Sequence, residues 1–311
     1  MLNIPEKTLE LLRASRFVIP VFADLHTDSP DDRHLKAQVS ALCELREIRK
    51  PDAVISLGDM PAMLGRDRHA SNARVAALIS GICEKLAEAA GAPLLAINGN
   101  HDAVGTDFFS PTLWRGAVKG FDRGLAKRDG DSVWYYADFG GYRFVFLSVP
   151  HDSELGGVYP TPLWSFGDEQ LDWLERTLCG TTGKRIVIFS HVPFCSVYDG
   201  PDTLMDVWDG ERVRKATRAS LCGWIDDRER AESILKRHEI VCAVAGHEHY
   251  DSVLAPGELR NGFVNRLDCP QVIVSSHRVF KSTPEDFFER DGFSVIALNA
   301  GDTPSLKVIL M

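Results

Sequence analysis

Five short polar clusters carry the chemistry this sequence could do: Asp24-Leu25-His26, Gly58-Asp59, Asn98-Gly99-Asn100-His101-Asp102, Ser190-His191 and Gly246-His247-Glu248-His249. They hold two carboxylates (Asp24, Asp59), four imidazoles (His26, His191, His247, His249) and one amide oxygen (Asn100), an oxygen and nitrogen donor set without thiolates. Such donors suit borderline divalent cations, namely manganese, iron, cobalt or zinc, and differ from a structural zinc site. Seven donors exceed what one ion takes, so two ions sharing a carboxylate are the economical arrangement. Two divalent charges set against two carboxylates and a bridging hydroxide leave about one net positive charge, which draws phosphate even within an acidic protein. Ions about 3.5–4 Å apart clamp the attacking and leaving oxygens of an in-line displacement and generate hydroxide near neutral pH.

Each cluster follows an apolar run that reads as a buried strand. Phe17–Ala23 precedes Asp24, Ala53–Leu57 precedes Asp59, Pro93–Ile97 precedes the central cluster, Arg185–Phe189 precedes His191, and Ile240–Ala245 precedes His247. Five of the ten histidines stand at these stops, at the carboxyl edge where open α/β sheets bind ligands. Amphipathic helices are expected over 5–15, 33–49, 70–90, 168–178 and 228–238, and their alternation with strands predicts parallel pairing with right-handed crossovers. Residues 103–131 read as loop, 133–136 and 143–149 as a hairpin about Gly140-Gly141, and 293–298 with 306–310 as a closing strand pair.

Composition bounds the rest. With 311 residues, 44% hydrophobic and 25% charged, the chain can bury a large core, and the absence of a linker or repeat favours one domain over 1–311. A net charge of −9 with no basic stripe argues against extended nucleic acid as partner and leaves a small anionic substrate. Seven cysteines, scattered and never in C-x-x-C spacing, suit reduced thiols. No apolar run is long enough for a membrane span, and Pro5, Glu6 and Glu10 do not resemble a signal peptide, so a cytoplasmic location is expected. Oligomeric state is not legible.

The ordered set D-x-H, G-D, G-N-H-D, H and G-H-x-H, spanning residues 24 to 249, resembles the calcineurin-like metallophosphoesterase superfamily. The resemblance implies a four-layer α-β-β-α sandwich of two mixed sheets. It implies Asp24, His26 and His249 on one metal, Asn100, His191 and His247 on the second, and Asp59 bridging. His101 resembles the family's general acid, with Asp102 placed either to orient it or to serve a structural, outer-sphere role, and with Asn100 and His101 facing the substrate. The implied cofactors are two divalent ions, manganese or iron before zinc or cobalt.

Departures narrow the class. Purple acid phosphatases carry Tyr where this chain has Ala62, which argues against an iron–tyrosinate centre. The serine/threonine protein phosphatases have Asp-Arg-Gly where Ala62-Met63-Leu64 stands, and the lipid A pathway pyrophosphatases have Arg at His101. What remains resembles bacterial phosphodiesterases of the cyclic-nucleotide type, so the expected activity is hydrolysis of a small phosphodiester by a metal-bridging hydroxide. A phosphomonoesterase of the same family, or a non-catalytic scaffold that kept the fold, are the alternatives. Residues 196–227 exceed an ordinary connection. With Tyr198, Trp208, Trp224, Arg212, Arg214, Lys215 and Arg218 they could form a lid, with a short helix over 210–220. The pairs His151-Asp152 and His277-Arg278 could reach the site mouth, and Arg66 and Arg68 a phosphate, although solvated loop residues explain them as well. Cys195 reads as a packing residue.

Overall fold

The apolar runs become the inner strands of two facing sheets. The computed structural model describes residues 4–61, 72–102, 111–148, 165–195, 204–208, 213–217, 227–249, 251–260, 263–276, 293–298 and 306–310, with backbone alone at 72 and 263 and over 204–208, 213–217 and 306–310. Arg66, Arg68, His151, Asp152, Tyr198, Arg212, Arg218, Trp224, His277 and Arg278 lie outside the described residues, as does most of 196–226.

In chain order the elements are α1 (Glu6–Ala14), β1 (Phe17–Phe22), α2 (Arg33–Ile48), β2 (Val54–Ser56), α3 (Asn72–Ala90), β3 (Leu94–Ala96), α4 (Pro111–Val118), β4 (Tyr135–Phe139), β5 (Tyr142–Leu147), α5 (Asp168–Cys179), β6 (Arg185–Ser190), β7 (Leu204–Trp208) and β8 (Val213–Thr217). They continue with α6 (Arg228–Leu235), β9 (Ile240–Ala245), β10 (Ser252–Leu254), β11 (Leu259–Arg260), β12 (Phe263–Val264), β13 (Gln271–Ile273), β14 (Ser294–Leu298) and β15 (Leu306–Leu310). The first sheet runs β15-β14-β1-β2-β3, parallel from β1 to β3 and antiparallel at β14 and β15. The second runs β10-β13-β9-β6-β5-β4, parallel through β13, β9, β6 and β5 and antiparallel at both edges.

Three hydrophobic layers follow from strand alternation, since neighbouring side chains point to opposite faces. Val18, Phe22, Val54 and Leu94 pack against Leu35, Leu42, Leu45, Ile79, Ile82 and Trp114 of α2, α3 and α4. Ile19, Val21, Ile55 and Leu95 face Phe144, Phe146, Val187, Phe189 and Val244 across the gap between the sheets. Val145, Leu147, Ile186 and Ile188 meet Leu171, Trp173, Leu174, Ala231 and Ile234 of α5 and α6. The result is helix, sheet, sheet, helix, the architecture expected. A buried hydrogen bond from Tyr135 Oη to the Ala96 carbonyl (3.0 Å) ties the second sheet to β3 of the first. Among the described residues, no helix is long and apolar enough to cross a membrane.

Two local expectations are corrected. Within 103–131, read as loop, α4 forms over Pro111–Val118 and buries Trp114, Ala117 and Val118; its brevity and Gly116 hid its periodicity. Over 210–220, where a helix was expected, β8 pairs antiparallel with β7, Trp208 opposite Val213 and Leu204 opposite Thr217. Asp209-Gly210 between β-favouring residues was the hairpin signal.

Candidate metal centre

Both sheets deliver their carboxyl ends to one place. β1 leads to Asp24 and His26, β2 to Asp59, β3 to Asn100 and His101, β6 to His191, and β9 to His247 and His249. Beyond the strands the loops stay zipped by backbone bonds: Asp24 N donates to Gly58 O (3.1 Å), His26 N to Asp59 O (3.0 Å), and Gly246 N to His191 O (2.9 Å). These bonds hold conformations that side chains avoid. Among the described residues six non-glycines have positive φ, and five of them are Asp24 (55°), His26 (45°), Asp59 (52°), His247 (72°) and His249 (54°). Left-handed backbone costs about 1–3 kcal/mol at each such residue and persists only where the surroundings over-determine it. Its concentration on the expected ligands points to a working site.

Close approach also needs glycine. A Cβ on Gly99 would lie 2.2 Å from Asp59 Oδ1 and 2.8 Å from His191 Cε1, and one on Gly246 would lie 2.7 Å from Ala23 Cβ. The two loops therefore interlock only because these positions lack side chains.

The donor atoms fall into groups. Asp24, His26 and His249 converge; so do His26, Asp59 and His101, and Asp59, His191 and His247. His26 Nε2 faces His249 Nε2 at 3.1 Å. Asn100 Oδ1 lies 3.0 Å from His191 Nε2 and 3.0 Å from His247 Nδ1, with those two nitrogens 3.2 Å apart. Ring nitrogens aimed at one another at this spacing fit a shared cation, because ligands at right angles on bonds of about 2.0–2.1 Å are separated by about 3 Å. The donor set thus fits two divalent cations.

Outer contacts prepare the ligands. His191 Nδ1–H donates to Leu57 O (2.8 Å), which turns Nε2 towards the other donors. Asp24 accepts the His247 amide (2.9 Å), and Asp59 Oδ1 accepts the His101 amide (2.7 Å). Asp59 Oδ2 then stands 3.4 Å from His191, 3.8 Å from His26 and 3.9 Å from His101.

Of the two roles open to Asp102, its contacts favour the structural one. Its Oδ2 accepts Gly99 N (2.6 Å) and Asp59 N (2.8 Å), and its Oδ1 accepts Met60 N (3.2 Å). It clasps the loops after β2 and β3 and does not bond the His101 ring, so it is a positioning residue. Burial and the nearby Asp59 carboxylate raise its pKa to about 7. Cys195 is buried, and burial pushes its thiol up to about 12, as suits a packing residue.

The two acidic donors diverge. Burial raises Asp24, with Asp59 adding to it while His249 and His191 pull the other way. Burial pushes Asp59 in the same direction, yet His191 and His101 hold it well below the usual carboxylate range. Burial keeps His26 neutral. Burial also opposes the His191 imidazolium, but Asp59, Asp24 and the Leu57 carbonyl outweigh it and raise its pKa to about 9. A cation bound through Nε2 must displace that proton. Apparent affinity is therefore expected to rise with pH towards about 9 and level off above. Calorimetric titration in buffers of different ionisation enthalpy counts the proton released; an affinity flat across the neutral range would contradict this.

The sequence profile of the calcineurin-like phosphoesterases matches residues 17–251. No curated protein matches the sequence. The fold is shared with a dimetal phosphatase from Danio rerio, at 17% identity and a TM-score of 0.62 over 95% of this chain and 99% of that one. It is also shared with GAP50, the anchor in the inner membrane complex of Plasmodium, at 12% identity and a TM-score of 0.54 over 95% and 84%. PhoD is similar at 12% identity and a TM-score of 0.52 over 95% and 68%.

Proposed function

Because the chain belongs to the calcineurin-like phosphoesterase family, we propose that it is a metal-dependent phosphoric ester hydrolase acting on a small, nucleotide-like phosphodiester, cyclic forms included. The observation that carries this reading is Asp59 Oδ2, set within 3.4–3.9 Å of imidazoles from three separate loops. Asp24, His26 and His249 would hold one cation, Asn100, His191 and His247 the other, with Asp59 shared. Two such cations, manganese or iron before zinc or cobalt, would supply Lewis-acid neutralisation of phosphoryl oxygens and acidification of water.

The chain's own residues do the rest. His101 stands edge-on to His26, ring centroids 4.5 Å apart, with its amide fixed on Asp59. From there it would protonate the departing alkoxide, and with Asn100 it would contact the phosphoryl group. Asp102 keeps the loop carrying both in register.

The departures at Ala62–Leu64 and His101 favour a diester. The likeness to a protein described as a dimetal phosphatase supports a monoester as the second reading. GAP50, described as an anchor, keeps a scaffold reading in view, against which the convergent donors argue. A panel of mono-, di- and cyclic phosphoesters, run with each candidate metal, decides. The diester reading expects the highest kcat/KM on a diester. A monoester winning throughout would replace that reading, and no turnover with any metal would leave the scaffold.

A further inference from the structure

Behind the proposed second metal group lies a polar chain that joins Asn98 of the central cluster to two residues outside every motif. Asn98, Ser148 and Gln170 are each no more than 1% exposed. Gln170 Oε1 accepts Ser148 N (2.8 Å), and Gln170 Nε2 donates to Ser148 O (2.6 Å) and Phe166 O (3.0 Å). The glutamine of α5 thus grips both backbone groups of Ser148 just past β5, as a neighbouring strand would. So held, the Ser148 hydroxyl donates to Asn98 Oδ1 across to the other sheet.

Asn98 is the last residue before the turn that presents Asn100 and His101. The far side of that turn is fixed by Asp102, through Gly99 N and Asp59 N. Its near side is fixed at the side chain of Asn98. Between the two anchors Asn100 Oδ1 must reach His191 and His247, 3.0 Å from each. A neutral amide is a weaker ligand than a carboxylate or an imidazole, so its contribution depends on being held in place.

We propose that Gln170, Ser148 and Asn98 form a positioning relay for Asn100, so that the affinity of the Asn100, His191 and His247 group for a divalent cation depends on the Ser148 hydroxyl. The inference rests on the metal-centre reading above. Loss of such an outer partner typically weakens metal affinity about 10–100-fold.

Calorimetric titration of the chelated full chain with Mn²⁺ tests it without reference to turnover. Ser148→Ala is expected to weaken one of two binding classes about 10-fold or more and to leave the other within about twofold. Tyr135→Phe is the control, because it removes an equally buried hydrogen bond to Ala96, the last residue of β3 and two residues before Asn98. It should leave both classes within about twofold, which separates positioning from loss of stability. Asn98→Ser, which shortens the anchored side chain, should reproduce the selective loss and serves if Ser148→Ala folds poorly. Two native classes left unchanged by Ser148→Ala and Asn98→Ser, or weakened as much by Tyr135→Phe, would overturn the relay alone. A native chain that takes up no divalent cation would overturn the metal-centre reading and the relay with it.

Discussion

Asp59→Asn is expected to strip the protein of metal and of turnover together. The carboxylate is 1% exposed and reaches three imidazoles through Oδ2 while Oδ1 receives the His101 amide. Asparagine keeps the shape and can still accept the His101 amide. It removes the one negative charge positioned between the two donor groups, and its NH₂ would then face ring nitrogens that need a cation or an acceptor. Loss should exceed the roughly 10–100-fold that removing a merely supporting residue costs. Metal analysis of the purified variant beside an activity assay checks this, and a variant with native metal content and turnover would refute the shared role.

His101→Gln is expected to separate chemistry from metal binding. His101 borders the donor groups, and its ring meets the edge of His26. As a proton donor to the leaving group it should contribute about 10²–10⁴-fold to kcat on an alkoxide. On a nitrophenolate, which leaves without a proton, the loss should be much smaller. Metal content should stay native. A fall in metal content would make His101 a ligand or its support, and equal losses on both substrates would remove it from proton transfer.

The strand ends were legible because each buried run stops abruptly at a residue that a core does not tolerate. Asp24, Asp59 and His191 are buried charged or polar groups at the ends of apolar strands, and such groups need partners. Five such strand ends in one chain therefore pointed to one another. The helices α2 and α5 were legible from their apolar spacing. In α2, Asp32 caps the first turn through His34 N, and Leu35, Leu42 and Leu45 line the buried face.

Which of its two roles Asp102 takes was not legible. Its place beside His101 allowed an orienting partner as readily as a structural one, and its oxygens go to amides of residues 59, 60 and 99. Backbone donors leave no trace in side-chain types. The Ser148–Asn98 bond spans 50 positions and two sheets, and no periodicity reports a contact of that range. The β7–β8 hairpin was missed because its stability comes from cross-strand pairing rather than from either segment alone.

The claim at the centre of this account is that two divalent cations bound by these loops carry the activity. The most direct measurement is stepwise reconstitution of the exhaustively chelated native chain with Mn²⁺, following bound metal and phosphodiester hydrolysis in the same samples. The account expects negligible hydrolysis at the start, recovery that tracks filling of a second equivalent per chain, and no further gain beyond it. Full hydrolysis by the chelated chain, or full recovery at one equivalent, would contradict it.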